Sequence, residues 1–198
     1  MHATEHAAGQ QLRMVWPKDR LNLPPRWSVP EAYVLRTFRT GDEDGHVRVM
    51  RKAGFSDWKE ENVRTSLPRC VADGFFVIEH KVKGRLVATA MAVNNPMPLH
   101  PHGGELGWVA ADPEHRGKGL GYCVCAAVTA RFLEAGYKNL FLRTDDFRLP
   151  AIKTYLKLGW IPFLFASDMP QRWVSICEKL GIDLNSIGRV TVPFSPGT

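Results

Sequence analysis

The chain has 198 residues, 44% of them hydrophobic and 23% charged. That suffices for one domain with extensions and a core needing neither disulfide nor metal, and no apolar run reaches membrane-spanning length. The formal net charge of +6 suits an anionic ligand, but the basic residues are scattered rather than blocked, which argues against a dedicated nucleic-acid partner.

In chain order, residues 1–30 hold Pro17, Pro24, Pro25 and Pro30 and read as a tail or an extended arm. The opening "MHATEHAAGQQLRM" has no hydrophobic signal core. Cys70, Cys123, Cys125 and Cys177 form no paired framework. A reducing cytoplasm is therefore the expected location. "AYVLRTF" (32–38) is β-type and ends in the turn signal Thr40-Gly41-Asp42. Residues 43–53 and 58–68 are predicted helices, broken at "GFSDW". Residues 74–95 read as two strands around a turn at Lys83-Gly84, the second almost wholly apolar and therefore central in a sheet. A loop spans 94–104, and "ELGWVAADP" (105–113) is a strand stopped by Asp112-Pro113. Apolar residues at helical spacing run from Leu120 to Ala135, with Gly136 as the C-terminal stop. A strand (138–144), a short helix (149–159), a strand (160–166) and a last amphipathic helix (171–181) complete the pattern. The hairpin requires antiparallel pairing, and the strand–helix–strand unit over 105–144 requires a parallel pair. The expected fold class is α/β: a mixed, mostly antiparallel central sheet flanked by helices.

"HRGKGLG" (115–121) opens the long helix with three alternate glycines and two cations. A helix start has unpartnered N–H groups and a positive dipole, which together suit phosphate, and glycines let it approach. Gly119 after Lys118 excludes the Walker pattern, and Tyr122 excludes the dinucleotide fingerprint. What remains is Arg116-x-x-Gly119-x-Gly121 directly after a strand.

That pattern resembles the GNAT superfamily of acyl-coenzyme A-dependent N-acetyltransferases. "GWVAADPEHRGKGLG" is similar to the family's strand–loop–helix segment and "PAIKTYLKLGW" to its later Ala-x-x-x-Tyr-x-x-x-Gly-aromatic element. "GELGWVAADP" and "TDDFRLPAIKTYLKLGW" look like its mycothiol acetyltransferase-like branch, whose members carry two tandem halves where this chain has room for one. The resemblance covers about residues 32–166. It implies one GNAT domain over 31–198, with 167–198 as a C-terminal helical extension.

The resemblance also implies a co-substrate, acetyl-coenzyme A. Its diphosphate would lie on the backbone of Arg116, Gly117, Lys118, Gly119, Leu120 and Gly121. Its pantetheine arm would lie along Val109, Ala110 and Ala111, with the Val109 amide polarising the thioester carbonyl. Many relatives have Asn three residues before the helix alanine; here Arg148 stands before Ala151, where it can reach a phosphate instead. Glu105, on one strand face with Gly107, Val109 and Ala111 by alternation, is the candidate base, and Tyr155 the candidate acid for the leaving thiolate. By the same alternation Trp108 points away and packs. His100 and His102 lack a third ligand, so no metal is expected. Asp145 and Asp146 are candidates for capping the next helix or lining the acceptor site. Cys123 and Cys125 read as core. The expected partner is a small-molecule or protein amine, with no nucleic acid and no membrane, and a homodimer left open. A catalytically silent acyl-coenzyme A-binding module or sensor of the same fold is the alternative.

Overall fold

The apolar run after the Lys83–Gly84 turn does become the middle of a sheet. A computed structural model describes residues 10–192. Strands β1 (Leu12–Val15), β2 (Tyr33–Thr37), β3 (Cys70–His80), β4 (Arg85–Asn94), β5 (Gly104–Ala111), β6 (Leu140–Thr144), β7 (Ile161–Leu164) and β8 (Val190–Thr191) form one eight-stranded sheet in the order β2-β3-β4-β5-β6-β1-β7-β8. The β5–β6 and β7–β8 pairs are parallel and the others antiparallel. β4 reads "RLVATAMAVN" and is buried throughout its interior, because helices cover both its faces. On one side α1 (Glu43–Lys52) and α2 (Glu60–Ser66) bury Val49, Met50 and Val63 against Val77, Met91 and Val93. On the other, α3 (Leu120–Glu134), α4 (Leu149–Leu158) and α5 (Met169–Leu180) bury Phe132, Ile152 and Trp173 in a second cluster with Leu12 and Met14.

Two expectations need correction. Residues 12–15 are no detached tail: β1 sits inside the sheet, antiparallel to β6 on one side and β7 on the other. Leu12 and Met14 are fully buried, so the alternation in "LRMV" places two side chains in the core. Nor is the segment after residue 167 purely helical, since Val190–Thr191 pairs with Phe163 and Leu164. Residues 1–9 and 193–198 of those segments lie outside the described residues.

His46 on α1 is fully buried, and both its ring nitrogens lack a partner among the described residues. The rings of Phe38, Phe75 and Trp58 face it edge-on. Burial, opposed weakly by Asp42, pushes its pKa down to about 4 from 6.5. The folded protein therefore favours the neutral ring. Its contribution is complete above pH 6.5 and is lost as pH falls from 6.5 toward about 4, about 3 kcal/mol in full. Denaturant unfolding of His46→Leu is expected to lose less stability than the wild type between neutral pH and pH 4.5 by roughly 2 kcal/mol. Parallel losses in the two proteins would remove His46 as the cause.

Candidate active site

β5 and β6 begin side by side and then part. Their parallel ladder consists of Gly104↔Leu140 and Glu105↔Phe141 and goes no further. Beyond Glu105 the edge of β5 that faces β6 has no ladder partner among the described residues, which leaves the backbone groups of 106–111 that point that way available. The break coincides with a bulge. Met91 pairs with Gly107 but Thr89 with Ala110, so Ala90 alone faces Trp108 and Val109. Trp108 takes a left-handed backbone, φ 51°, which costs an L-residue roughly 1–2 kcal/mol.

The bulge overturns the expected alternation. Leu106, Val109 and Ala111 pack toward the α3 cluster, while Ala110 is buried in the α1–α2 cluster. Val109 therefore does not share a face with Glu105 by simple periodicity. Trp108, expected to pack away, is instead 40% exposed. It lines the same cavity as Glu105 and leans on Trp58 and Phe55 at 4.4 and 6.3 Å between ring centroids.

That cavity opens at the parting of the strands and holds about 280 Å³. Glu105, Val109, Arg148, Ala151 and Tyr155 all line it. Glu105 is 92% buried by its 8% exposure. Arg143 Nε and Nη2 donate to its two oxygens at 2.8 and 3.2 Å, and Asn95 Nδ2 donates at 2.6 Å. Arg69 Nη2 in turn donates to Asn95 Oδ1 at 2.7 Å. Asp145 also lines the cavity and accepts from Gln11 Nε2 and Arg148 Nε, each at 3.0 Å. Asp145 thus lines the site rather than capping α4, whose N-cap is Arg148 with no side-chain cap bond. Asp146 is drawn off to Arg172 of α5 at 2.5 Å. Arg148 lies with its guanidinium 4.5 Å above the Phe55 ring. It belongs to this cavity, and no hydrogen bond among the described residues links it to loop 116–121. Tyr155 is 5% exposed, and burial raises its pKa, with Cys125 adding to the rise and Arg148 opposing it. Its hydroxyl keeps its proton and is free to donate into the cavity.

The glycine loop is a separate feature on the same side of β5. Asp112 accepts from the Glu114 amide at 3.0 Å and from Lys52 Nζ at 2.9 Å, which pins the strand's end. Gly117 and Gly119 then take φ of 76° and 71°, values that favour glycine. The first bond inside α3 runs from Cys123 N to Gly119 O at 3.0 Å, leaving the amides of Leu120, Gly121 and Tyr122 without helical acceptors. A Cβ built on Gly117, Gly119 or Gly121 meets nothing within 4 Å, so the loop's side-chain positions border open space. Lys118 turns aside and donates to Tyr33 Oη at 2.9 Å, which also bonds His115 Nδ1 at 2.9 Å. Arg116 is exposed. Leu120 is buried and offers only its amide.

Several residues of the site escaped the sequence reading: Gln11, Phe55, Arg69 and Arg143, which line the cavity, and Asn95, which supports Glu105. Only Arg143 had a local signal, a cation inside the apolar strand "LFLRT". His100, in the 94–104 loop, is buried and stacked on Phe141 at 4.2 Å. No group of three or more metal-capable side chains exists among the described residues.

A strand that parts from its parallel neighbour, a bulge at the parting and a glycine loop leading into a helix together define a class of site. Residues 42–160 match the acetyltransferase (GNAT) family, and the chain belongs to that family. It is 30% identical over 158 residues to a mycothiol acetyltransferase of Saccharomonospora viridis, covering 73% of this chain and 48% of that protein. A mycothiol acetyltransferase of Thermobispora bispora is 30% identical over 166 residues, covering 75% and 54%. The chain thus spans about half the length of these curated relatives. The structure of a GCN5-related N-acetyltransferase from Sphaerobacter thermophilus shares the fold with a TM-score of 0.61 at 20% identity, covering 77% of this chain and 47% of that one.

Proposed function

We propose that the protein transfers an acetyl group from acetyl-coenzyme A to a primary amine, small-molecule or protein-borne. The observation that carries this is the open row of backbone amides at Gly117–Gly121, joined through one strand to a cavity holding a buried carboxylate and a protonated tyrosine. The loop fits a diphosphate: several N–H donors at a positive helix start, with no Cβ in the way. The free edge of β5 suits an amide-bearing arm that needs strand-like hydrogen bonds, reaching the cavity at Val109.

In this reading the amine attacks the thioester carbonyl directly. The Val109 amide stabilises the charge that develops on the carbonyl oxygen, a contribution of roughly 3 kcal/mol. Glu105 takes the amine proton, directly or through one water. Its donors at Arg143 and Asn95 fix the carboxylate at the cavity wall, which makes them positioning residues. Tyr155 donates a hydrogen bond to the departing sulfur. A thiol releases its proton near pH 8.5 and the buried phenol holds its own more tightly, so stabilisation of the thiolate, rather than full transfer of the phenol proton, is its chief effect.

Thiol release in the presence of an amine panel tests this. Glu105→Gln is expected to lower turnover about a hundredfold and to shift the pH profile, and Tyr155→Phe to lower it by about tenfold with little change in acetyl-coenzyme A affinity. Unchanged rate and profile in Glu105→Gln would take Glu105 out of the chemistry.

A further inference from the structure

The cavity wall carries charges of both signs in unequal supply. Its two carboxylates are already engaged, Glu105 by Arg143 and Asn95, Asp145 by Gln11 and Arg148. Its three guanidiniums are not. Arg69 donates only to Asn95 and has no carboxylate partner among the described residues. Arg148 spends only its Nε, and Arg143 its Nε and one Nη. Each therefore keeps at least three of the five N–H donors of a guanidinium.

A further cation stands behind them. Arg13 on β1 is the direct cross-strand partner of Arg143 on β6, a like-charge opposition that costs stability. Burial and then Arg143 lower the Arg13 pKa, with Glu105 opposing. Glu105 thus answers to two arginines while Arg69 and Arg148 face the cavity with spare donors. Such planar, bidentate donors match carboxylate and phosphate oxygens. The Arg148 guanidinium rests over the Phe55 ring at 4.5 Å, which restrains it before an anion docks.

Resting on the acetyl transfer proposed above, we propose that the acceptor is an amine with an anionic group beside it, a carboxylate or a phosphate. Arg69 and Arg148 bind the anion while the nitrogen faces Glu105. The Arg69–Asn95–Glu105 chain of hydrogen bonds, with links of 2.7 and 2.6 Å, joins the anion site to the proton acceptor through a single side chain. Phe55 and Trp108 form an apolar wall for whatever side chain the acceptor carries.

Matched pairs of amines test this by thiol release with acetyl-coenzyme A: glycine against glycinamide, phenylalanine against phenylalaninamide, phosphoethanolamine against ethanolamine. The amides are less basic and offer more free amine at neutral pH, so a preference for the acids runs against intrinsic reactivity. The anionic member is expected to have kcat/KM higher by about tenfold or more, with the gap narrowing in high salt. The first two pairs report on carboxylate and the third on phosphate. Arg69→Met is expected to raise KM for the preferred anionic amine about tenfold more than for its uncharged partner, so that the preference within each pair falls by that factor, and to be partly corrected by Arg69→Lys. A merely structural role for Arg69, acting through Asn95 on Glu105, would lower the rate for both members of a pair equally and leave the preference intact. Amides used as well as acids, an unaltered preference in Arg69→Met, or no turnover of either class by protein that binds acetyl-coenzyme A would overturn the inference. Failure to bind acetyl-coenzyme A would instead overturn the acetyl-transfer proposal beneath it.

Discussion

Replacing Gly119 by aspartate is expected to weaken acetyl-coenzyme A binding by about a thousandfold while the protein stays folded. Gly119 has φ 71°, and a Cβ there meets nothing within 4 Å. Asparagine and aspartate are the side-chain-bearing residues that tolerate this backbone best. The fold therefore accepts either at a cost of about 1 kcal/mol. What aspartate adds is a negative charge in the space over the loop amides. Two unit charges about 4 Å apart at an effective dielectric constant of about 20 interact by about 4 kcal/mol, which is the thousandfold. Gly119→Asn is the control, since it fills the same space without the charge and is expected to lose only about tenfold. Calorimetric titration of both variants, alongside thermal unfolding, reads the effect. Two variants that bind the co-substrate about equally well would show that no diphosphate lies over this loop.

The second large effect belongs to the N-terminal strand. Met14→Asp is expected to cost roughly 4 kcal/mol or more, enough to unfold a domain of ordinary stability. Met14 is fully buried between β6 and β7, paired with Leu142 and Pro162. An aspartate there is an unpaired charge in the core, packed in a cluster of apolar side chains. Loss of β1 would also leave two strands without a partner in mid-sheet and remove Gln11, which braces Asp145 at the cavity. The same substitution at Leu23, 60% exposed, is expected to change stability by less than about 0.5 kcal/mol. If residues 10–16 only lay loosely on the surface, the two variants would unfold at the same denaturant concentration.

That strand shows where sequence reading reached its limit. β4 and α3 were readable because their signals are local: an unbroken apolar run between turn residues, and apolar spacing that ends at Gly136. "LRMV" alternates correctly but has only four residues, and it lies in a segment whose prolines suggest an extended arm. Nothing local says that β6 and β7 leave a gap to be filled. The glycine loop was readable for the opposite reason. Its demand for positive φ and for bare amides is written in the residues that meet it, Gly117 and Gly119.

The cavity divided along the same line. Glu105 and Tyr155 could be placed by motif, and both line it. Arg69, Asn95 and Gln11 come from three distant segments and meet through tertiary pairing alone. Trp108 failed because a period of two was carried straight through a bulge. Gly107 inside the strand was the available warning, since glycine in a strand often marks a bulge. Arg148 was matched to a coenzyme contact by its distance from Ala151, and it lines the cavity together with Ala151 and Val109, beside the Phe55 ring and Asp145.

The central claim is that main-chain nitrogens at residues 116–121 grip the diphosphate of acetyl-coenzyme A. Calorimetric titration with acetyl-coenzyme A and, in parallel, with acetyl-pantetheine separates the diphosphate-bearing nucleotide half from the thioester arm. The account predicts micromolar binding of the first and affinity lower by about a hundredfold or more for the second, the contribution of two charge-assisted hydrogen bonds. Equal affinity for the two ligands, or no heat with acetyl-coenzyme A at millimolar excess, would contradict it.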